Sequence, residues 1–447
     1  MKSQCVAIMG LGAEGVASAN YFKDKARIVI YDDKNKDEID NNLLSQLRAD
    51  ADFYFNKKID QKVDLIIRSP AVKVSHPQIT RLIKKGAVLS SSTKFFFENC
   101  PAKIIGVSGT KGKGTTSTLI YKILKTTTDN VFLAGNIGTP AIEILPKVNK
   151  KSLVVLELSS FQLIDLQKSP HIAVVLMITS EHLDWHSNQL DYWHAKLPIV
   201  KFQKASDFAI INQDFPISKG FQKYTKAKTY FFSTKSQTNG ISIQKNEIIS
   251  NINGLEKITS VDKIKLPGSH NLQNVLSAIS VAKILKVDNT NIVKVLSNFK
   301  GLQNRLHLVR KIRGVSYYND SYSTIPETAI AAIAAFQEPK ILIIGGSSKN
   351  SNFENLAETI IRSGSIKALI LIGQEASKIK KTIYSHGNFR GQIIENLKTM
   401  GQIVKKASEI AQEGDIVILS PACASFDMFK NYKDRGEQFV KTVRNLK

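Results

Sequence analysis

At 447 residues the chain has room for about three domains, and 43% hydrophobic with 22% charged residues marks an ordinary soluble globular protein. Its longest apolar runs, such as residues 172–178, are far too short to span a bilayer, so neither a membrane partner nor a secretory leader is expected. The formal charge of +24 would suit nucleic acid, but the lysines are spread rather than blocked and no nucleic-acid-binding motif accompanies them. The charge is therefore read first as background composition and second as a field favouring anionic small ligands. Cys5, Cys100 and Cys423 share no metal-ligand or redox spacing, which points to the reducing cytoplasm.

The first segment alternates strands, predicted at residues 4–9, 27–31, 65–68 and 87–89, with helical patterns. Its first turn reads Gly10-Leu11-Gly12-Ala13-Glu14-Gly15, and Asp32 and Asp33 close the second strand. That is a dinucleotide fingerprint, weak by itself; it supports a nucleotide-binding Rossmann-like unit without choosing NAD over a UDP-sugar. Residues 90–97, rich in hydroxyls and aromatics, lead out of this segment, and Phe95-Phe96-Phe97 is expected to pack a seam between domains.

The second segment opens with an apolar run, residues 104–107, that breaks into Gly106-Val107-Ser108-Gly109-Thr110-Lys111-Gly112-Lys113-Gly114-Thr115-Thr116 and reopens as a helical pattern over 116–125. Such a turn aims free backbone N–H groups and a helix N-terminus at phosphates. Lys113 adds a point charge. Gly114 stands where a hydroxyl residue usually follows the lysine, so Thr115 is the expected Mg²⁺ ligand. About one crossover later, a strand over 153–158 delivers Glu157 as a second oxygen ligand. A further buried strand over 172–178 places His182 at its carboxyl end, where a second metal ion would find it. Lys196 sits on a helical pattern over 189–202 and on pattern alone reads as a solvated lysine. Residues 229–266 read as a small antiparallel insertion with an Asn253-Gly254 turn. From Gly301 strands are predicted at 316–319, 341–344, 368–372, 392–395 and 416–419, alternating with helices as in a doubly wound sheet.

The phosphate loop, Gly135-Asn136-Ile137-Gly138, Glu157-Leu158-Ser159-Ser160-Phe161-Gln162 and Gly268-Ser269-His270-Asn271-Leu272-Gln273-Asn274 resemble motifs of the Mur ligase family of ATP-dependent amide ligases. So do Leu419-Ser420-Pro421-Ala422-Cys423-Ala424-Ser425-Phe426-Asp427, Lys430-Asn431-Tyr432 and Arg435-Gly436. The resemblance runs along essentially the whole chain and is nearest to the family's D-glutamate-adding branch. It implies an α/β protein of three domains: a UDP-substrate-binding Rossmann-like domain over residues 1–97, a central P-loop ATPase-like domain with a mostly parallel sheet over 98–300, and an amino-acid-binding Rossmann-like domain over 301–447. The implied substrates are UDP-N-acetylmuramoyl-L-alanine, D-glutamate and ATP, handled by a monomer.

The resemblance also implies roles. Lys113 and the amides of Gly109, Thr110, Lys111, Gly112, Gly114, Thr115 and Thr116 hold ATP phosphates, with Asn271 and Asn274 at the adenine or its phosphates. Arg305 and Asp320 close over the nucleotide. Thr115, Glu157 and His182 ligate a pair of Mg²⁺ ions, joined by Lys196 if it is carbamylated. Gly10, Gly12, Gly15, Asp32 and Ser69 bind the UDP moiety, and Asn136 and Ser159 the muramoyl part. Thr324, Lys349, Ser425 and Tyr432 hold the incoming amino acid. The chain departs from the family pattern at Asn304-Arg305, where His-Arg is usual, at Tyr322, where the muramoyl ligases carry lysine, and at residues 345–349, which lack an acidic residue. Its phosphate loop is closer to the folylpolyglutamate synthetase version. Three alternatives stay open: a ligase for another amino acid or a folate, a dinucleotide oxidoreductase on the strength of the first turn, and a P-loop protein associated with nucleic acid.

Overall fold

The computed structural model describes residues 4–179, 185–266, 268, 270–348 and 351–446. Three sheets follow one another along the chain. The first is formed by β1 (Cys5–Met9), β2 (Arg27–Asp32), β3 (Ala51–Phe55), β4 (Leu65–Arg68) and β5 (Val88–Ser91), in the order β3-β2-β1-β4-β5 and parallel throughout. All five residues of β1 are buried, because helices cover both faces and an apolar side chain is wanted on either side. Val6 and Ile8 face the helix Ala13–Phe22, whereas Ala7 and Met9 face Ile79 and Leu82 of the helix Pro77–Lys84.

The central sheet contains β6 (Lys103–Ser108), β7 (Val131–Gly135), β8 (Leu153–Glu157), β9 (Ile172–Val175), β10 (Phe208–Asn212), β11 (Lys228–Ser233), β12 (Ile241–Gln244), β13 (Glu247–Ser250) and β14 (Glu256–Ser260). Its order is β14-β13-β12-β11-β10-β9-β6-β8-β7. Strands β8 and β7 lie on one side of β6 and β9 to β14 on the other, so a topological switch point lies at the carboxyl end of β6, where α/β sheets open a crevice for ligands. The strands predicted over 229–266 supply the small antiparallel portion: β12 pairs in parallel with β11 and so continues the central sheet, and β12-β13-β14 are antiparallel hairpins. The Asn253-Gly254 turn joins β13 to β14 as expected.

The third sheet, β15 (His307–Ile312), β16 (Val315–Asn319), β17 (Lys340–Gly345), β18 (Ile366–Ile372), β19 (Gln392–Ile394) and β20 (Ile416–Leu419), has the order β15-β16-β20-β17-β18-β19. It is parallel except for the β15-β16 hairpin.

The chain divides into two compact units: Met1–Lys263 with Leu272–Ser297, which holds the first two sheets, and Ile264–Asn271 with Asn298–Lys447, which holds the third. Within the first unit the aromatic triplet joins the two sheets. Phe95 packs its ring edge on Tyr21 and Phe22 of the first helix, at 5.6 and 5.1 Å, while Phe96 and Phe97 enter the core beneath β6 and β8. The predicted helix over 189–202 is two short helices, Gln189–His194 and Pro198–Lys201, because Pro198 begins a new turn and donates no backbone hydrogen bond.

Candidate functional site

The phosphate loop lies at the carboxyl end of β6. Gly112 adopts φ +88°, a left-handed conformation that lets the chain turn directly into the helix Lys113–Leu124, three residues earlier than the pattern predicts. A Cβ on Gly112 would stand 2.1 Å from Asn274 Oδ1, so a side chain there would displace that amide as well as strain the backbone. Thr110 fixes the loop to the next strand: its N–H donates to Met177 O at 2.7 Å, and its hydroxyl accepts from Thr179 N–H at 3.0 Å. Tyr192 OH lies 3.1 Å from the same hydroxyl. Lys113 folds back over the loop and donates to the carbonyls of Gly109 and Thr110, both at 3.0 Å. Thr115 and Thr116 are buried in the first helical turn, and Thr116 donates to Asn274 Oδ1 at 3.3 Å.

Around this loop the first unit gathers most of the expected residues. Glu157 ends β8, opposite Val107 in register, and is 3% exposed. Its Oε1 accepts from Asn136 Nδ2 at 3.1 Å, and its backbone carbonyl accepts from Asn136 N–H at 2.9 Å. Ser159 caps the following short helix Ser160–Leu163 through a capping box with Gln162. Lys196, read as solvated on pattern alone, is 1% exposed and lies under the phosphate loop, donating to Gly109 O at 3.2 Å with its ammonium 4.6 Å from the Tyr192 ring centre. Its ammonium also lies 3.5 Å from Ser108 Oγ, so a buried amine meets a carbonyl, a hydroxyl and an aromatic ring. His182 and Lys349 lie outside the described residues.

The first glycine turn is organised differently. Leu11 N–H donates to Asp32 Oδ2 at 2.7 Å, Gly10 N–H to Tyr31 O at 2.8 Å, and Ser69 Oγ to Gly10 O at 2.7 Å. Gly10, Gly12, Gly15, Asp32 and Ser69 therefore meet at the carboxyl ends of β1, β2 and β4, with Gly12 capping the helix Ala13–Phe22. Glu14, in the first turn of that helix, accepts from Gln162 Nε2 at 2.6 Å, and burial raises its pKa.

In the second unit Asp320 is buried at the end of β16. It accepts from Ser420 Oγ at 2.8 Å and Leu306 N–H at 3.1 Å, and burial pushes its pKa up to about 7. Arg305 lays its guanidinium 4.0 Å over the Tyr322 ring, and Tyr322 meets Tyr432 edge-on at 5.1 Å, so the tyrosine that departs from the family pattern forms an aromatic bridge between two expected site residues. Ser425 is buried beside Ala422, which holds φ +60°, and Thr324 follows the Asp320 turn. Asn271 is buried and donates its N–H to Gly268 O.

Sequence reasoning passed over Tyr192, which supports both Thr110 and Lys196, and His186, whose Nε2 lies 3.0 Å from Ser160 Oγ and whose ring stacks on Phe161. It also passed over Arg68 at the end of β4. Nothing in local spacing distinguishes these from core residues.

Comparison with known proteins finds family matches along most of the chain. Residues 4–90 match the Mur ligase MurD-like N-terminal domain, 107–282 the Mur ligase middle domain and 304–423 the Mur ligase glutamate ligase domain. The UDP-N-acetylmuramoylalanine–D-glutamate ligase of Thermoanaerobacter sp. (strain X514) is 36% identical over 100% of this chain and 99% of its own length. The enzyme of the same name from Clostridium tetani is 36% identical over 99% of this chain and 96% of its own. Among solved structures, the UDP-N-acetylmuramate-alanine ligase of Thermotoga maritima superposes with a TM-score of 0.64 at 16% identity, covering 99% of this chain and 100% of that one. The MurF ligase of Thermotoga maritima in complex with ADP gives 0.58 at 19%, covering 98% and 97%. Those two likenesses speak for the fold alone.

Proposed function

The chain belongs to the Mur ligase family, and from that premise we propose that it joins D-glutamate to UDP-N-acetylmuramoyl-L-alanine with cleavage of ATP, in the synthesis of peptidoglycan precursors. The observation that carries the reading is the rim at the carboxyl ends of β6 and β8. There the phosphate loop, Glu157 and the buried Lys196 share one neighbourhood, in a chain similar along its whole length to D-glutamate ligases. The reaction has two steps. A carboxylate oxygen of the UDP-linked substrate attacks the γ-phosphorus, and the bond to ADP breaks. The amine nitrogen of glutamate then attacks the acyl carbon, and the tetrahedral intermediate collapses with loss of phosphate and of the amine proton.

The protein's part in this is positioning and charge neutralisation. Lys113 swings from the loop carbonyls to the terminal phosphates, whose remaining oxygens accept from the loop amides. Asn274 supports the turn at Gly112, and Asn271, Arg305 and Asp320 are assigned to the nucleotide. Gly10, Gly12, Gly15, Asp32 and Ser69 are assigned to the UDP moiety, Asn136 and Ser159 to the muramoyl part, and Thr324, Lys349, Ser425 and Tyr432 to glutamate. Residues 1–97, 98–300 and 301–447 then serve as the substrate, ATP and amino-acid domains, in the cytoplasm where these substrates occur.

The donor chemistry suits Mg²⁺. The Glu157 carboxylate, bonded through one oxygen to Asn136, and the Thr115 hydroxyl are hard oxygen donors, and such an ion completes its shell with water and substrate phosphate. Bound there, Mg²⁺ supplies charge neutralisation at the phosphate oxygens. His182 is proposed as a further ligand. Lys196 is a ligand only as its carbamate, formed when the neutral amine adds to carbon dioxide and releases one proton. Its buried position under the phosphate loop, donating to Gly109 O, places such a carbamate beside the phosphates.

Phosphate release from ATP with Mg²⁺ and UDP-N-acetylmuramoyl-L-alanine, screened across amino acids, tests the proposal. Turnover with D-glutamate alone is expected. Turnover with a different amino acid moves the substrate, and none with any amino acid overturns the ligase reading.

A further inference from the structure

We infer that Arg68 is a positioning residue that couples the turn expected to hold the UDP moiety to the helix expected to hold the muramoyl part; the assignment rests on the ligase reading above. Arg68 is the last residue of β4, and its side chain is 0% exposed. Burying a guanidinium is costly unless each donor is met, and here every nitrogen is engaged. On one side Nη1 donates to the carbonyls of Ser69, Pro70 and Val72, at 3.3, 3.1 and 2.8 Å. On the other, Nη2 donates to Phe161 O at 3.0 Å and to Asp165 Oδ2 at 3.0 Å, and Nε reaches the same oxygen at 3.3 Å. The other oxygen of Asp165 accepts from Ser91 Oγ at 3.1 Å, which ties the pair back to the first sheet.

The two clamped segments are the two that the UDP-linked substrate must bridge. Residues 69–72 begin with Ser69, whose hydroxyl holds the first glycine turn at Gly10. Phe161 lies in the short helix capped by Ser159, two residues after Glu157. A second tie runs parallel to the first, from Gln162 Nε2 to Glu14 Oε1 in the helix that follows the glycine turn. A third holds the outer side of the 69–72 segment, where Trp185 Nε1 donates to Ala71 O at 3.3 Å while its ring meets Phe161 edge-on. Only a planar fork with donors on opposite edges can serve carbonyls on both sides at once, so a lysine at this position keeps the charge and loses the clamp.

The test is a split between the Michaelis constants of the two substrates. In Arg68→Lys, KM for UDP-N-acetylmuramoyl-L-alanine is expected to rise on the order of tenfold while KM for ATP stays within about a factor of two. Asp165→Asn leaves four carbonyl contacts to Arg68 intact, so it is the milder variant and keeps the test open if Arg68→Lys does not fold. It should shift the same constant in the same direction, and the double variant should be no worse than Arg68→Lys alone. An equal change in both Michaelis constants, or a change in neither, overturns the coupling role. Failure of the ligase reading shows itself separately, as absence of turnover in the unsubstituted protein.

Discussion

The first unit builds the same backbone device twice and sets different side chains around it. Each copy is a buried parallel strand, a glycine turn and a helix whose N-terminus faces the switch in the sheet: β1 with Gly10 to Gly15, and β6 with Gly109 to Gly114. At the first turn the carboxylates Asp32 and Glu14 stand by the glycines, and the nearby cation Arg68 is engaged by the carbonyls of Ser69, Pro70 and Val72, by Phe161 and by Asp165. Asp32 is bonded inward to Leu11 N–H, and Glu14 is bonded to Gln162. At the second stand the cations Lys113 and Lys196, both bonded to carbonyls of the loop itself, beside the metal-ligand candidate Glu157. Backbone amides and a helix dipole suffice to hold a diphosphate that does not react. Transferring a phosphoryl group concentrates charge on oxygen in the transition state, and that demands cations already in place. On the proposed function, the difference between the turns is the difference between holding a nucleotide and cleaving one.

Removing the charge from the second turn should separate the two most sharply. Lys113→Ala is expected to lower ATP-dependent phosphate release by about 10²–10³-fold. Calorimetric affinity for UDP-N-acetylmuramoyl-L-alanine should stay within about a factor of two, and full activity in this variant would remove the phosphate loop from the mechanism. Lys196→Ala should cost about a hundredfold or more. If the residue works as a carbamate, short carboxylic acids added to the assay recover part of the loss by occupying the same space. A dead variant that no acid recovers would leave Lys196 a structural lysine under the loop.

The glycines sharpen the contrast from the backbone side. Gly112 sits at φ +88° with no room for a Cβ, so Gly112→Ala should destabilise the first unit by about 1–3 kcal/mol, seen as a lower Tm. Gly12 has an ordinary φ of −89° and nothing within 4 Å of where a Cβ would stand. The fold does not need a glycine there, which leaves close approach of a ligand as the reason for one. Gly12→Ala should therefore keep its Tm within about 1 °C while affinity for the UDP-linked substrate falls about tenfold. A Tm loss equal to that of Gly112→Ala would return Gly12 to a purely structural role.

Both turns were legible in the sequence because everything that makes them is local: an apolar run, glycines at fixed spacing and a helical pattern. What surrounds them was not. Lys196 reads as exposed on helical spacing, and only the break at Pro198 and the packing on Tyr192 carry it under the loop. Arg68 closes an apolar strand and looks like its solvent-facing end. Among the strands that escaped notice are β3 and β15. Both are edge strands with exposed polar positions, Asp52 in β3 and Arg310 and Lys311 in β15, so they lack an apolar signature. In the second unit the site residues come from turns about a hundred residues apart, such as Asp320 and Ser420, which only the fold brings together.

The smallest expected effect tests whether the carboxylates of the first turn are a cost that the fold carries. Burial is the largest influence on Glu14 and raises its pKa; the hydrogen bond from Gln162, the nearby Ser92 hydroxyl and the charge of Arg68 offset that only in part. The folded protein therefore holds the proton more tightly than the unfolded chain. The stability this contributes is fully present below the ordinary glutamate value of 4.5 and is lost as pH rises through the folded-state value. Glu14→Gln keeps an acceptor for Gln162 Nε2 and cannot ionise. Its new amide hydrogens occupy the place of Glu14 Oε2, which has no hydrogen-bond partner among the described residues, beside the Ser92 hydroxyl, which has none either. The variant should match the parent near pH 4 and exceed it by about 2–4 °C in Tm near pH 8, with tighter binding of the UDP-linked substrate once a buried negative charge leaves the diphosphate's neighbourhood. A Tm difference independent of pH would show that Glu14 acts there through its shape and not its charge. The opposition between the two turns would then rest on Asp32 alone.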